Sequence, residues 1–453
     1  MAETLCSVGL DVGTTSTQMV VSDLEIENQA SGFAVPEMVI RDRKIRYRSP
    51  VHFTPLLDGD HMDAQALRKL VEEEYRKAGI TRQQVQTGAI IITGETSRKE
   101  NAREVLEALS QYAGNFVVAA AGPDLESRLA AKGSGAVSWS EKTGRRVLHM
   151  DIGGGTSNLA LIEGGEILDT ACFNVGGRLI IYDENLRIQW ISPALKGIFA
   201  GKIGDTFEET QASALTEQLV EILEMAAGLR TPDPRLSQFI SQGAGALDPK
   251  LLGKEIVLSF SGGVADCIQK IVPWREFGDL GPLLGRTIRR SRLCRGEYRL
   301  GEQTIRATVI GAGCHAAQLS GSTVYCRNVE FPLKNLPSAV LRSLEPEHIR
   351  QQILRSEERP VLMLPPMEGA NYETLRKTAE ALTESAGDGP LYVSMTEDLA
   401  KALGQLLALR LPESTPILCI DRVILGEECY LDVGAPVGSA IPVVVKTLIL
   451  EKG

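Results

Sequence analysis

The sequence predicts an α/β fold in which one unit of secondary structure occurs twice, followed by a smaller C-terminal α/β region. The predicted element order βββαβαβα recurs in the first two thirds of the chain. A short loop rich in Gly, Thr and Ser joins the first two strands of each unit. The length of 453 residues exceeds what one ordinary hydrophobic core serves, so two or three domains are expected.

Residues 1–145 form the first predicted unit, and hydrophobic patterning indicates its elements in order. Leu67, Leu70 and Val71 recur at helical spacing and indicate the first helix. The polar, Gly/Ser-rich stretch 133–146 is interpreted as a loop that closes the unit. The predicted elements are strands at 5–11, 17–24 and 38–48, a helix at 63–78, a strand at 89–93, a helix at 96–112, a strand at 116–120 and a helix at 123–132.

Residues 146–324 form the second predicted unit, which repeats this order with longer insertions. Residues 286–299 contain six arginines, and they are interpreted either as a solvated surface or as a docking site for an acidic patch on a protein partner. The predicted elements are strands at 147–151, 157–163 and 166–173, an interrupted helical stretch at 178–243, a strand at 255–260, a helix at 263–271, a strand at 304–310 and a helix at 311–320.

Residues 325–453 do not repeat the unit a third time, and they predict a smaller C-terminal α/β domain. Short apolar runs at 361–364, 391–394 and 416–420 are typical of buried strands. Predicted helices at 370–385 and 396–410 separate these strands. Strands that alternate with helices are typical of α/β domains.

The two Gly/Thr-rich loops are the strongest functional signal in the chain. Each follows an apolar strand-like run, leads into another, and opens with Asp, a β-branched residue and Gly. Glycines let backbone N–H groups approach a phosphate, hydroxyls add donors, and Asp11 or Asp151 can hold Mg²⁺ through water. Taken alone, either loop is typical of a tight β-hairpin turn. Two copies that face each other would bind a nucleotide triphosphate from both sides, through Gly13, Thr14, Thr15, Gly153, Gly154, Gly155 and Thr156.

Three further segments are candidate parts of this site. Ser261, Gly262 and Gly263 end a strand and open a helix, where the backbone can approach an adenosine ring; the alternative is a plain strand–helix connection. Glu95 also follows a strand and could orient an attacking water, or simply stabilise the first turn of a helix. The small residues 311–313 permit a close helix crossing at a hinge, or a helix start against the sheet.

Composition excludes several classes of protein. A net charge of −10 argues against general affinity for nucleic acid or an anionic membrane surface. No uninterrupted apolar run is long enough to span a bilayer, and the start of the chain lacks the pattern of a secretory signal. The eight cysteines contain no CxxC pair and are interpreted as reduced thiols. These features together predict a cytoplasmic protein.

The three loop elements together resemble the actin/Hsp70/sugar-kinase ATPase superfamily, whose lobes have a ribonuclease H-like fold. Residues 11–17 resemble its phosphate-1 motif, 151–157 its phosphate-2 motif, 261–265 its adenosine motif and 311–313 its connecting motif. The resemblance implies two ATPase lobes, 1–145 and 146–324, around a nucleotide cleft that binds ATP or ADP with Mg²⁺. Asp11, Asp151 and Glu95 are the residues expected to serve hydrolysis.

A second set of longer runs carries a narrower resemblance, at 8–16, 93–95 with 98–101, 121–126, 132–136 and 431–436. These runs resemble those of the family of ethanolamine ammonia-lyase reactivating factors. They extend into the C-terminal region, so the resemblance covers essentially the whole chain.

This second resemblance implies a molecular chaperone for a single enzyme. Ethanolamine ammonia-lyase uses adenosylcobalamin, whose damaged form remains bound after side reactions. A reactivating factor uses ATP and Mg²⁺ to promote release of the damaged cobalamin, so that intact coenzyme can enter. The resemblance therefore implies a weak Mg²⁺-dependent ATPase with the lyase as its partner. Association with a bacterial microcompartment and a homo-oligomeric state both stay open.

One departure from the superfamily pattern bears on hydrolysis. Chaperone members often carry an acidic residue after the phosphate-2 loop, whereas Ser157 and Asn158 stand there in this chain. Weaker or differently activated hydrolysis is therefore expected. The rival hypotheses are a small-molecule kinase of the same superfamily, for which the chain shows no further catalytic carboxylate, and a nucleotide-dependent actin-like scaffold.

Overall fold

The computed structural model describes most of the chain, and every structural statement below concerns the described residues. They are 3–13, 16–28, 38–57, 61–92, 105, 109, 118–120, 123–252, 255–315, 318–320, 323–356, 358–367, 369–426, 429–436 and 441–447. The predicted residues Thr14, Thr15 and Glu95 lie outside these ranges, as does most of the helix predicted at 96–112. Within the described ranges, no helix has the length and apolar character needed to cross a membrane.

The first lobe is a sheet in the strand order β3-β2-β1-β5-β6, with β4 added beside β2. Strands β1, β5 and β6 are parallel, whereas β1–β2 and β2–β3 are antiparallel hairpins. Its elements are β1 (Glu3–Val12), β2 (Ser16–Asn28), β3 (Met38–Arg48), β4 (His52–Phe53), α1 (Ala64–Ala78), β5 (Thr87–Ile92), β6 (Val118–Ala120), α2 (Pro123–Gly133) and α3 (Ala136–Thr143).

The second lobe repeats this topology, with the order β9-β8-β7-β12-β13. When the short strand β4 and the separate β10–β11 hairpin are left out of the numbering, both sheets have the order 3-2-1-4-5, which confirms the predicted duplication. Its elements are β7 (Val147–Ile152), β8 (Ser157–Glu163), β9 (Glu166–Phe173), β10 (Ile180–Tyr182), β11 (Ile188–Ile191), α4 (Glu209–Ala226), α5 (Pro234–Phe239), β12 (Val257–Ser261), α6 (Gly263–Gln269), α7 (Gly281–Arg290), β13 (Tyr298–Leu300) and α8 (Ala307–His315).

Three sequence predictions about these lobes are wrong. The stretch 133–146 is not all loop, because α3 lies between Gly135 and Gly144, whose positive φ angles of 82° and 66° bound a short helix. The predicted helical stretch 178–243 begins with the β10–β11 hairpin. The predicted strand at 304–310 largely belongs to α8, which begins at Ala307 rather than near Gly311, and the fifth strand is β13.

The Arg-rich segment is also more ordered than expected of a solvated loop. It includes the second half of α7 and the first two residues of β13. Arg286 lies 3.7 Å from Glu209, and the guanidinium of Arg292 donates to the carbonyl oxygen of Leu229. The guanidinium of Arg299 lies over the ring of Trp139. The guanidinium of Arg289 also donates to the carbonyl oxygen of Gln269. At least four of the six arginines therefore contact neighbouring elements of the molecule.

The two lobes are joined by helices that pack on each other's sheets. Helix α8 follows the second sheet in sequence but packs on β1, β2 and β5 of the first, whereas α2 packs on β7, β8 and β9 of the second. The two helices cross where Gly133 faces α8 and Gly311 faces α2. A Cβ atom at Gly133 would overlap the carbonyl oxygen of Ala307, and one at Gly311 would overlap that of Leu129. Only glycine permits this approach.

A third sheet follows α8 and contacts the first lobe. Its strand order is β14-β21-β20-β16-β17-β18-β19-β15, in which β16 to β19 are parallel. Leu319 of β14 packs with Leu5, Leu24 and Ile26 of the first lobe. The elements are β14 (Gln318–Leu319), β15 (Tyr325–Arg327), β16 (Leu333–Val340), α9 (Pro346–Arg355), β17 (Val361–Met363), α10 (Tyr372–Ala386), β18 (Leu391–Met395), α11 (Ala400–Ala408), β19 (Ile417–Asp421), β20 (Cys429–Val433) and β21 (Pro442–Thr447).

Candidate functional site

The described residues of the two predicted phosphate loops share one backbone hydrogen bond and line the same cleft between the lobes. The amide of Gly13 donates to the carbonyl oxygen of Ser16 at 2.9 Å, and the amide of Gly153 donates to that of Thr156 at 2.9 Å. The cleft has a volume of about 620 Å³. The duplicated fold therefore brings together two loops that lie 140 positions apart in sequence.

The described lining of the cleft is rich in acidic side chains. Six carboxylates line it, and they are Asp11, Glu126, Asp151, Asp266, Glu276 and Asp279. The lysine and arginine side chains among the described lining residues are Lys270 and Arg178. An anionic nucleotide would therefore need a cation between itself and this surface.

Asp151 lies at the base of the cleft in a buried hydrogen-bond network. It is 6% exposed, and its carboxylate accepts hydrogen bonds from the hydroxyls of Ser261 and of Thr308 on α8. The two ring nitrogens of His149 lie 3.1 Å and 2.9 Å from the hydroxyls of Ser259 and Ser261. Burial lowers the pKa of His149 to about 3, so its imidazole is neutral. Burial also raises the pKa of Asp151 to about 6, although its two hydrogen bonds oppose this shift.

The residues present fit a water- and phosphate-held Mg²⁺ rather than a cage of protein ligands. Asp11 and Asp151 both line the cleft, and carboxylate oxygen is a ligand that Mg²⁺ prefers. No group of three or more His, Cys, Asp or Glu side chains converges as a metal centre within the described residues. Mg²⁺ in nucleotide sites is usually held by one or two carboxylates together with phosphates and waters.

The predicted adenosine segment divides into three different environments. Ser261 is fully buried and bonds to Asp151 instead of lining the cleft. Gly262 has a φ of 87°, and a Cβ atom there would overlap the carbonyl oxygen of Ile152, so its backbone requires glycine. A Cβ atom at Gly263 would meet nothing within 4 Å. Gly263, the first residue of α6, therefore faces open space in the cleft.

The predicted site residues are thus largely brought together. Asp11, Asp151, Gly262 and Gly263 line the cleft with the loop residues Gly13, Gly153, Gly154, Gly155 and Thr156. Ser261 lies behind this surface. For Thr14, Thr15 and Glu95 the roles stay predictions, because these residues lie outside the described ranges.

A segment that sequence reasoning missed supports the second phosphate loop. The amide of Gly177 donates to the carbonyl oxygen of Gly153 at 2.9 Å, and the amide of Arg178 donates to that of Gly154 at 2.7 Å. A Cβ atom at Gly176 would overlap the carbonyl oxygen of Gly154. The available signal was the pair of glycines directly after the third strand of the second unit, which the first unit lacks.

Polar contacts between the lobes cross the floor of the cleft. The side-chain amide of Gln18, on β2, donates to the carbonyl oxygen of Ile305 at 3.1 Å. The hydroxyl of Ser7, on β1, donates to the carbonyl oxygen of Gly313 at 2.6 Å. Thr308 contacts Asp151 from the same helix. Helix α8 therefore contacts the first lobe along its length and the second phosphate loop near its start.

Comparison with known proteins gives matches over nearly the full chain. Residues 3–451 match the family described as "Ethanolamine utilisation protein EutA". The chain is 39% identical to proteins named "Ethanolamine ammonia-lyase reactivase EutA" from Salmonella typhimurium and from Escherichia coli K12, and each match covers 98% of both sequences. Among solved structures, the Aquifex aeolicus member of the Ppx/GppA family has a TM-score of 0.41 and 12% identity, over 68% of this chain and 97% of its own.

Proposed function

Because this chain belongs to the EutA family of ethanolamine utilisation proteins, we propose that it is an ATP-dependent reactivating factor for ethanolamine ammonia-lyase. Two relatives that it matches over 98% of their length are named as reactivases of this enzyme. The proposed partner is therefore the lyase, and the proposed site of action is the cytoplasm where the lyase works.

The observation that carries the proposal is the pair of matching phosphate loops on one cleft. Asp11 and Asp151 would hold Mg²⁺ through water, and the amides of Gly154 and Gly155 would donate to phosphate oxygens. Bound Mg²⁺ would neutralise charge between the phosphates and the acidic lining. Both lobes contribute to this arrangement, so occupancy by ATP or ADP would favour particular positions of one lobe relative to the other.

The proposed conformational cycle uses the crossed helices α2 and α8. Each helix follows the strands of one lobe in sequence but packs on the sheet of the other lobe. Movement of one lobe relative to the other must therefore change the contact between the two helices. Helix α8 also leads toward the third sheet, which packs on the first lobe through Leu319. Nucleotide-dependent movement would therefore shift the first lobe and the third sheet relative to the second lobe. We propose that this movement changes the hold on the lyase and promotes release of damaged cobalamin.

Slow hydrolysis suits this role and is supported by the residues that follow the second phosphate loop. The hydroxyl of Ser157 donates to the carbonyl oxygen of Val175 at 2.6 Å. Asn158 is 2% exposed within the sheet. Neither side chain supplies a carboxylate to the cleft, where chaperone members of the superfamily often carry one.

The direct test is reactivation of an inactivated lyase. Purified protein with ATP, Mg²⁺ and free adenosylcobalamin is expected to restore activity to ethanolamine ammonia-lyase that has been inactivated by turnover. Omitting ATP or the protein should leave the lyase inactive. The proposal fails if activity does not return with every component present, or if it returns equally well without ATP.

A further inference from the structure

We infer that Arg178 contacts the phosphates of the bound nucleotide and distinguishes ATP from the free nucleoside. This inference rests on the proposed function, because it assigns a role within the same cleft. It concerns a residue that the loop motifs do not include, since Arg178 lies 27 positions after Asp151.

The backbone fixes Arg178 beside the second phosphate loop. Its amide donates to the carbonyl oxygen of Gly154 at 2.7 Å, and the preceding amide of Gly177 donates to Gly153 at 2.9 Å. Gly176 packs so closely on Gly154 that no side chain fits between them. These contacts hold the start of the Arg178 side chain at a fixed position next to the loop that would receive the phosphates.

The guanidinium is only loosely paired in the structure. Its Nη1 lies 3.9 Å from Oδ2 of Asp279, beyond the range of about 2.7–2.9 Å for a strong charge-assisted hydrogen bond. The other oxygen of Asp279 accepts the amide of Gly281 at 2.8 Å. Burial raises the pKa of Asp279 to about 6, although the hydrogen bond from the Gly281 amide and the charge of Arg178 oppose this shift. Phosphate oxygens could therefore attract Arg178 away from Asp279 at modest cost.

The acidic lining of the cleft makes a positively charged side chain important for binding phosphate. Among the described lining residues, six carry carboxylates, whereas only Arg178 and Lys270 carry a lysine or arginine charge. Lys270 directly follows α6 and lies seven residues beyond Gly263, which is about 10 Å along a helix. Lys270 is therefore distant from the helix start, whereas Arg178 is bonded to the phosphate loop. A planar guanidinium can also donate to two phosphate oxygens at once in a fixed geometry, whereas the ammonium group of a lysine lacks this geometry.

The test measures dissociation constants for ATP and adenosine in the presence of Mg²⁺, by isothermal titration calorimetry on the full chain. Arg178→Ala is expected to weaken ATP binding by about 10- to 100-fold, the effect of losing a charge-assisted hydrogen bond. Adenosine, which lacks phosphates, should bind the variant as it binds the wild type. Arg178→Lys keeps the positive charge but not the planar guanidinium. It should therefore bind ATP more tightly than Arg178→Ala but less tightly than the wild type.

Lys270→Ala is the matched control, because it removes the same charge from the same cleft at a position about 10 Å along α6 from Gly263. Its effect on the ATP-to-adenosine affinity ratio should be several-fold smaller than that of Arg178→Ala. The inference is overturned if Arg178→Ala binds ATP normally, if it weakens ATP and adenosine equally, or if Lys270→Ala changes the ratio as much. A wild-type protein that binds no ATP would instead overturn the proposed function.

Discussion

Asp151→Asn abolishes ATP-dependent reactivation while the protein stays folded; this is the largest functional effect that we expect. The amide keeps the size of the carboxylate and an oxygen that can accept the Ser261 hydroxyl, but it removes the charge that would hold Mg²⁺. Asp11→Asn should have the same effect from the other lobe. The measurement is recovery of lyase activity at saturating ATP, Mg²⁺ and adenosylcobalamin, beside a thermal unfolding curve for each variant.

Two further variants separate loss of charge from loss of structure. Asp151→Ala also leaves the hydroxyls of Ser261 and Thr308 without their acceptor, and each unsatisfied buried group costs about 1–3 kcal/mol. This variant should therefore be less stable than Asp151→Asn but equally inactive. Asp248→Asn removes a charge from an exposed position of the same lobe and should reactivate normally. Full reactivation by both Asp151→Asn and Asp11→Asn would refute the site.

Gly133→Ala is expected to destabilise the protein clearly, although it adds only one methyl group to the chain. In an open helix, Gly→Ala stabilises by up to about 1 kcal/mol. Here the added methyl group would overlap the carbonyl oxygen of Ala307 and lie 2.6 Å from the amide nitrogen of Gly311. Separating α2 from α8 should cost about 1–3 kcal/mol of unfolding free energy, and it should also disturb reactivation because the lobes move about this crossing.

The measurement is the thermal unfolding midpoint, with Gly296→Ala as the control. A Cβ atom at Gly296 would meet nothing within 4 Å, so that variant should lie within about 0.5 kcal/mol of the wild type. A Gly133→Ala protein as stable as the control would contradict the close crossing of α2 and α8.

The fold was predictable where the residues that determine an element are adjacent in sequence. Strands β7 to β9 and the loop after β7 follow from apolar runs and turn residues in adjacent positions, and the structure places them as predicted. Helix α8 was not predictable in the same way. Its start, residues 307–310, is mostly apolar and contains three consecutive β-branched residues. All four residues are buried, so the segment lacks the exposed polar face that marks a helix. The glycines at 135 and 144 indicated a loop, although they bound a helix.

The candidate site shows the same limit. Asp11 and Asp151 were predictable because each belongs to a local motif that occurs twice. Glu126 and Arg178 belong to no such motif, and they reach the cleft only because α2 and the segment after β9 fold against the second phosphate loop. Ser261 was assigned to the adenosine segment, but its hydroxyl bonds to Asp151 because β12 pairs beside β7. Contacts of this kind depend on the whole fold.

The central claim is that nucleotide bound in this cleft drives the release of damaged cobalamin from the lyase. The most direct measurement follows an inactive cobalamin, such as cyanocobalamin, bound to ethanolamine ammonia-lyase. The complex is incubated with this protein, ATP and Mg²⁺, and the absorbance of free cobalamin is measured after gel filtration. We predict release with the wild type and ATP, and none with Asp151→Asn or without nucleotide. Cobalamin that stays bound to the lyase with the wild type and ATP, or that leaves equally with Asp151→Asn, would contradict the account.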